Sequence, residues 1–464
     1  MWKTVFAHEW RLFWRNRLLV GGALFLLLAG GYGLWAGHAF AQAQRAVLRS
    51  IEADQAARLT RHLARFRADT LTEAGRRDYR WAHDATRTDR ELGKIVYQPL
   101  SPLAALAIGQ RDVYPYYYTI LPWDNLYLSK STEIRNPNKL LAGNFDLAFV
   151  LLYLVPLFSI AFGHTVLAEE QAQHTYALLR VQAGSGRAVV GYKLLFRFGL
   201  TLALVGALSG AGLVLNRVPS SDGLRWLLVS ALYVAFWFGC VYVVAALGRS
   251  ATFNSLALLG LWVLFLLLIP SALNYGLGQR QTDPEALHQV SLGRDHEGPW
   301  TWPLPRLTAT FHRQAPQFSG PRFTPVRDTT ELRFLAYVVL NEQAKNALGA
   351  AQASQQATLY RQTLRLNLLN PAFMVQHAYN QLAQTELNHH QAFLQAALRY
   401  QAQRRDYGFA YALSGEPFGL PQLRQFPEFR YQPAAVSWAD MGRSVWPLLL
   451  WVAGLLLAGY RLGR

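Results

Sequence analysis

The sequence predicts an all-α polytopic membrane protein: six transmembrane helices, an N-terminal interfacial elbow helix, a short cytoplasmic helix in one loop, and two mainly helical extracytoplasmic domains. Three observations predict it. Of 464 residues, 52% are hydrophobic and only 16% charged. The apolar residues fall in six blocks with no acid in their interiors, each near the roughly 20 residues that a bilayer core about 30 Å thick requires. Lys and Arg gather in the short loops of one side, the pattern that marks the cytoplasmic face.

The elements follow in chain order. Residues 1–17 mix Trp2, Val5, Phe6, Trp10, Phe13 and Trp14 with Lys3, Arg11, Arg15 and Arg17, which suits a helix lying in the cytoplasmic interface with rings at headgroup level. The first span occupies 18–37. Arg15, Arg17 and Ala39-Phe40-Ala41 imitate a secretory signal, but the apolar run is long for one. In the first outer segment, 38–146, an amphipathic helix continues from Ala41 to Arg65, and after Lys94 the Pro- and Tyr-rich text suits irregular structure. Span two is 147–167, a cytoplasmic loop covers 168–193, and spans three to five lie within 194–275. The second outer segment, 276–443, is first Pro-rich and then predicts two long helices, about 330–367 and 371–407, paired as a hairpin; Asn370 and Pro371 form a cap-and-start pair. Residues 444–464 hold span six and a cytoplasmic tail.

Lys3, Arg11, Arg15 and Arg17 before span one, the basic loop after span two, and Arg249, Arg461 and Arg464 all place both termini in the cytoplasm. A net charge of +17 therefore reflects topology, and nucleic acid is not expected as a partner. The spans hold almost no ionisable groups beyond His164 and Arg197, so the midplane machinery of an ion-coupled carrier is missing. Energy for transport must come from outside the spans. A single cysteine, Cys240, excludes an intrachain disulfide or a Cys-based metal site.

Several motifs reduce to ordinary structure. Glu386, His389 and His390 form Glu-x-x-His, read as a polar exposed face because no second pair accompanies it. Gly186 to Lys193 imitates a phosphate loop, but Tyr192 separates glycine from lysine and no Ser or Thr follows. Zinc-hydrolase and nucleophile-elbow signatures are absent. Neither a catalytic residue nor a bound cofactor or metal is expected. Gly206 and Gly210 in span three form a small-xxx-small face that fits packing within the chain and dimerisation equally. The most informative stretch is 168–193: Glu169 and Glu170, an amphipathic turn with Tyr176, Leu178 and Leu179, a Gly-Ser-Gly break, and a lead into span three. Its form is that of a lever that a soluble motor can grip.

At this loop the chain resembles the permease subunits of type-2 ABC exporters, through Glu169, Glu170, His174, Thr175, Leu178, Leu179, Gly184, Ser185, Arg187, Gly191 and Lys193. The segment with Trp10, Phe13, Trp14 and Arg15 resembles that family's elbow helix. Asn144-Phe-Asp-Leu-Ala-Phe-Val, Leu369-Asn-Pro-Ala and Thr385-Glu-Leu-Asn-His-His resemble the subgroup with two large extracytoplasmic insertions, so the likeness spans nearly the whole chain. The resemblance implies an inner-membrane permease of a bacterial cell, working with a second permease, the same or a sister chain, and with a cytoplasmic ATPase dimer that holds ATP and Mg. The loop from Glu169 to Arg180 would be the coupling helix, with Arg180 and Arg187 contacting ATPase or lipid phosphate; His174 stands where many relatives carry Gly. On this reading the outer helices shape an exit or recruit an envelope partner. The rival expectation is an ATPase-driven mechanotransmission or anchoring component that moves no substrate.

Overall fold

The computed structural model describes residues 2–123, 126–128, 144–172, 186–278, 298–323, 329–366, 368 and 370–462. Helix α1 (Trp2–Arg15) leads through Asn16 into α2 (Arg17–Arg65); α3 (Glu73–Ala82) and α4 (Ala85–Leu92) precede the strands β1 (Lys94–Tyr97) and β2 (Tyr117–Ile120). Then come α5 (Leu147–Gln171), α6 (Gly186–Leu215), α7 (Ser220–Ala246) and α8 (Ala251–Leu277). After these follow α9 (Leu304–Gln314), α10 (Thr329–Leu366), α11 (Pro371–Ala383), α12 (Leu387–Ser414), α13 (Leu420–Arg424) and α14 (Trp438–Leu462). Six of these helices, α2, α5, α6, α7, α8 and α14, are long and apolar enough to cross a membrane, and each coincides with an apolar block of the sequence. The chain is a multi-pass, almost wholly helical membrane protein.

Helix α7 is the hub. Trp226, Tyr233, Phe236 and Trp237 are fully buried against its neighbours, whereas Leu24, Phe25 and Leu28 of α2, Leu256 and Leu268 of α8, and Leu449, Leu450 and Leu457 of α14 are exposed. That distribution suits helices whose outer faces meet lipid tails. Helices α5 and α8 each widen into a π-helical turn, at Val150–Leu154 and Leu264–Leu268. A π turn disturbs the backbone ladder, and in an apolar setting freed carbonyls need donors. Side chains supply them: Tyr233 Oη donates to Leu152 O (3.0 Å), Trp262 Nε1 to Tyr153 O (3.1 Å) and Asn370 Nδ2 to Phe265 O (2.8 Å).

At the end of the bundle remote from α1, helix α2 runs on without a break, 49 residues in all and about 74 Å at 1.5 Å per residue. The segments that follow spans one and five interlock there. Val96, Tyr118 and Ile120 of the ribbon share one core with Phe393, Ala397 and Tyr400 of α12, and a buried Asp89–Arg404 ion pair ties α4 to α12. The antiparallel ribbon, with Lys94 opposite Ile120 and Tyr97 opposite Tyr117, replaces part of the irregular structure expected after Lys94. Alternating exposure on β2 is the period-two pattern that tertiary contact brings out in so short a strand.

Two further departures from the sequence reading have physical causes. The helix expected over 371–407 breaks at Gln384, whose φ of +58° is left-handed. Across the break Thr385 Oγ1 donates to Ala107 O (3.2 Å), and Gln110 N donates to Thr385 O (3.1 Å), so a distant segment fixes the kink. The first half, α11, has the expected cap, Asn370 Oδ1 accepting from Ala372 N (3.1 Å). It packs into the bundle: Tyr379 stacks on Trp226 at 4.1 Å and its hydroxyl meets Ser230 Oγ at 2.8 Å. The segment from Leu103 to Ile108, within the stretch expected to be irregular, is wholly buried. Its carbonyls and amides bond Ala148 N (2.9 Å, to Leu106 O) and Asp146 Oδ2 (2.8 Å, from Ile108 N).

Candidate functional site

Helix α1 turns Val5, Phe6, Glu9 and Phe13 inward, the i, i+4, i+8 recurrence of one helix face, and leaves Trp2, Trp10 and Trp14 about half exposed at 53%, 47% and 58%. Phe13 packs on Phe162 of α5 (5.6 Å between rings) and Phe6 on Phe196 of α6 (5.5 Å). Trp10 lies edge-on to Trp14, and Arg15 is exposed. Asn16 then ends the helix and caps α2, its side chain accepting from Leu18 N and Leu19 N. Helix α1 thus carries rings and cations outward and an apolar stripe inward.

One member of that stripe is charged. Glu9 is 1% exposed, and its Oε2 accepts from Arg197 Nε at 2.8 Å. Arg197, 5% exposed, also donates to Phe162 O (2.6 Å) and lies over the Phe162 ring. Lys193, one turn earlier on α6, bridges Glu9 Oε1 (3.6 Å) and Glu170 Oε1 (2.5 Å). Two carboxylates and two cations thus join α1, the end of span two and the start of span three in one neutral cluster. Three of them, Glu9, Lys193 and Arg197, are buried and Glu170 is half-buried, which is tolerable only with such pairing. Between α1 and α5 a cleft of about 440 Å³ opens, with Glu169, Arg15 and Arg17 on its walls.

Of the residues expected to couple to a motor, Glu169 is exposed and Glu170 sits in the cluster. Arg187 stands in the first turn of α6. His174, Thr175, Tyr176, Leu178, Leu179 and Arg180 lie outside the described residues. Among the described residues, a Cβ added at Gly206 or Gly210 meets nothing within 4 Å. Among the described residues no three His, Cys, Asp or Glu side chains converge as a metal requires.

Glu386 is not on an exposed face. It is buried, accepts from Tyr360 Oη at 2.7 Å, and lies 3.2 Å from His377 Nδ1 and 3.3 Å from His389 Nδ1. The kink at Gln384 turns what a continuous helix would expose toward α10 and α11. Burial opposes the Glu386 charge, but its bond with His389, the nearness of His377 and the Tyr360 hydroxyl outweigh burial and hold its pKa below the usual carboxylate value. Burial lowers His377, and it pushes His390, stacked on Tyr114 at 4.5 Å, down to about 4. With a folded pKa below the unfolded one, the stability His390 contributes is whole above about pH 6.5 and lost as the pH falls toward 4. Thermal unfolding in detergent is expected to show a loss of up to about 2 kcal/mol between about pH 7 and 4.5, and His390→Phe, which keeps the stacking, is expected to flatten that profile.

Residues 282–432 match a family model described as a domain of unknown function (DUF3526), about a third of the chain, including α9 to α12 and the Glu386 cluster. No curated protein and no solved structure matches.

Proposed function

We propose that this chain is the permease subunit of an ATP-driven ABC transporter, an exporter of the bacterial inner membrane with both termini in the cytoplasm. A separate ATPase dimer holds ATP and Mg and closes on them; the loop after span two receives the push, and a second permease completes the path. The observation that carries this reading is the buried Glu9–Arg197–Lys193–Glu170 cluster. It links the elbow, the loop that begins at Glu169 and the foot of span three, the three parts that must move together if force arrives at that loop. Neutral as a whole and held by the Arg197–Glu9 and Lys193–Glu170 bonds with a Lys193–Glu9 ion pair between them, it makes the three elements a foot rather than a flexible tether.

The test is recovery of an ATPase with the full-length chain in mild detergent. Replacing Leu178 and Leu179 by Asp places charge where apolar knobs would seat in a partner groove. It is expected to reduce ATPase recovery by about tenfold or more while leaving the yield of folded chain unchanged. Unchanged recovery, or ATP turnover by the purified chain alone, would overturn the reading.

A second reading is mechanotransmission to an envelope partner without cargo, and one observation favours it. Tyr379 of α11, part of the outer segment, stacks on Trp226 in the hub helix, so motion of α7 reaches the outer body directly. Crosslinking of α10 or α12 to an envelope protein, with no substrate flux in vesicles, would select this alternative.

A further inference from the structure

A cavity of about 490 Å³ lies where the outer body meets the bundle, between the first turns of α5, helix α11, the turn at Gly109–Val113, Tyr360 and Glu386. Its size is that of a small-molecule site and far exceeds the space of a bare ion. The lining divides into two kinds of group. Phe149, Tyr153 and Phe373 supply rings; Asp112, Asp146 and Glu386 supply acids. Among the described residues no Lys or Arg lines it, in a chain whose net charge is +17.

The acids are not equivalent. Asp146 is occupied as a structural cap, its oxygens accepting from Ile108 N and Phe149 N, both at 2.8 Å. Against the cost of burial, His389, His377 and the Tyr360 hydroxyl hold Glu386 below the usual carboxylate pKa, so a carboxylate faces the cavity beside aromatic rings, and rings beside an acid are the chemistry that holds an ammonium group. Among the described residues no group of three His, Cys, Asp or Glu side chains is placed to hold a metal ion.

A second observation says where the ligand comes from. A continuous row of rings runs from the exposed face of α2 to the cavity: Trp35, 63% exposed, to Tyr32 (5.6 Å), Tyr32 to Phe145 (5.4 Å), Phe145 to Phe149 (4.9 Å) and Phe149 to Tyr153 (4.7 Å). Trp35 and Tyr32 lie toward the outer end of span one, where aromatic side chains meet headgroups. We infer that the cavity binds the ammonium head of an amphiphile, held by Glu386 and Asp112 among the rings of Phe149, Tyr153 and Phe373, while its apolar tail follows the aromatic row to the bilayer. This site stands whether or not a nucleotide drives the protein.

The ammonium group could belong to an aminophospholipid or to a free amphiphilic amine, and two arms of one experiment separate them. Native mass spectrometry of the full-length protein in neutral detergent is titrated with phosphatidylethanolamine, with its N-acetylated form, which lacks the charge, and with dodecyltrimethylammonium. Retention of one cationic molecule, about tenfold tighter than the N-acetylated lipid, is expected. If phosphatidylethanolamine displaces dodecyltrimethylammonium, the lipid is the occupant; if only the free amine is retained, the amine is. Glu386→Gln is expected to weaken retention by about tenfold. Phe373→Leu, which removes a ring but keeps apolar bulk, is expected to weaken it severalfold with an unchanged unfolding midpoint, and it decides the matter should Glu386→Gln fail to fold. Equal retention of the N-acetylated lipid and the cations, or retention unmoved by the folded variants, would overturn the assignment.

Discussion

Replacing Glu9 by alanine is expected to destabilise the protein by about 3–5 kcal/mol, the cost typical of breaking a buried pair so that its partner charge is left uncompensated. Arg197 keeps its bond to Phe162 O but loses its anion, and Lys193 is left with Glu170 alone. Helix α1 should then detach and fray, so that trypsin cuts at Lys3 and Arg11, exposed already but held in the helix, at a rate the parent chain does not show. The double variant Glu9→Leu with Arg197→Met separates packing from charge. Apolar replacement of a whole buried pair is often neutral or stabilising, so the unfolding midpoint should recover most of what the single change loses. If the cluster transmits force, ATPase-linked transport should stay impaired in that double variant although the fold is restored. A Glu9→Ala midpoint equal to the parent's would mean that the apolar contacts of Phe6 and Phe13 suffice to hold the elbow.

The spans were legible because each is a long local run, and a window of adjacent residues carries the whole signal. The cluster was legible in halves. Lys193 and Arg197 stand out as cations at the foot of span three, but their acid lies 188 positions from Arg197. The signal that could have found it is Glu9's place on the stripe of Val5, Phe6 and Phe13, where an acid has no solvent to face and must have a cation to meet. The kink at Gln384 could not be read locally, since the bonds that stabilise it come from Ala107 and Gln110. The same kink converts Glu386 from an apparent surface residue into a buried one. The two readings of the small-residue face could not be separated locally for a related reason. Gly206-x-x-x-Gly210 and Gly33-x-x-x-Gly37 are the same motif in sequence, and only the fold shows which one meets backbone.

That difference yields a paired prediction. A Cβ at Gly37 would run into Ala105 O, and one at Gly33 would sit 2.9 Å from Asp146 O, both backbone atoms. Neither carbonyl can yield alone. Ala105, packed on span one, belongs to the buried segment whose bonds to Ala148, Asp146 and Thr385 join it to the start of span two and to the kink between α11 and α12. Gly37→Ala must therefore displace a backbone segment rather than a rotamer, and the loss should exceed the 1–3 kcal/mol or so typical of an extra methylene in a core. The cavity beside Glu386 should be lost with it, because its floor at Gly109 and Gln110 continues that segment. Gly206→Ala meets open space and gains helix propensity, so it should be neutral or stabilise by up to about 1 kcal/mol in the isolated chain. Unfolding midpoints of the two variants in the same detergent give the comparison; equal midpoints would mean that the Leu103–Ile108 segment does not rest on α2. A Gly206→Ala variant that keeps its midpoint but loses a copurifying second permease would locate the dimer contact on that open face of α6.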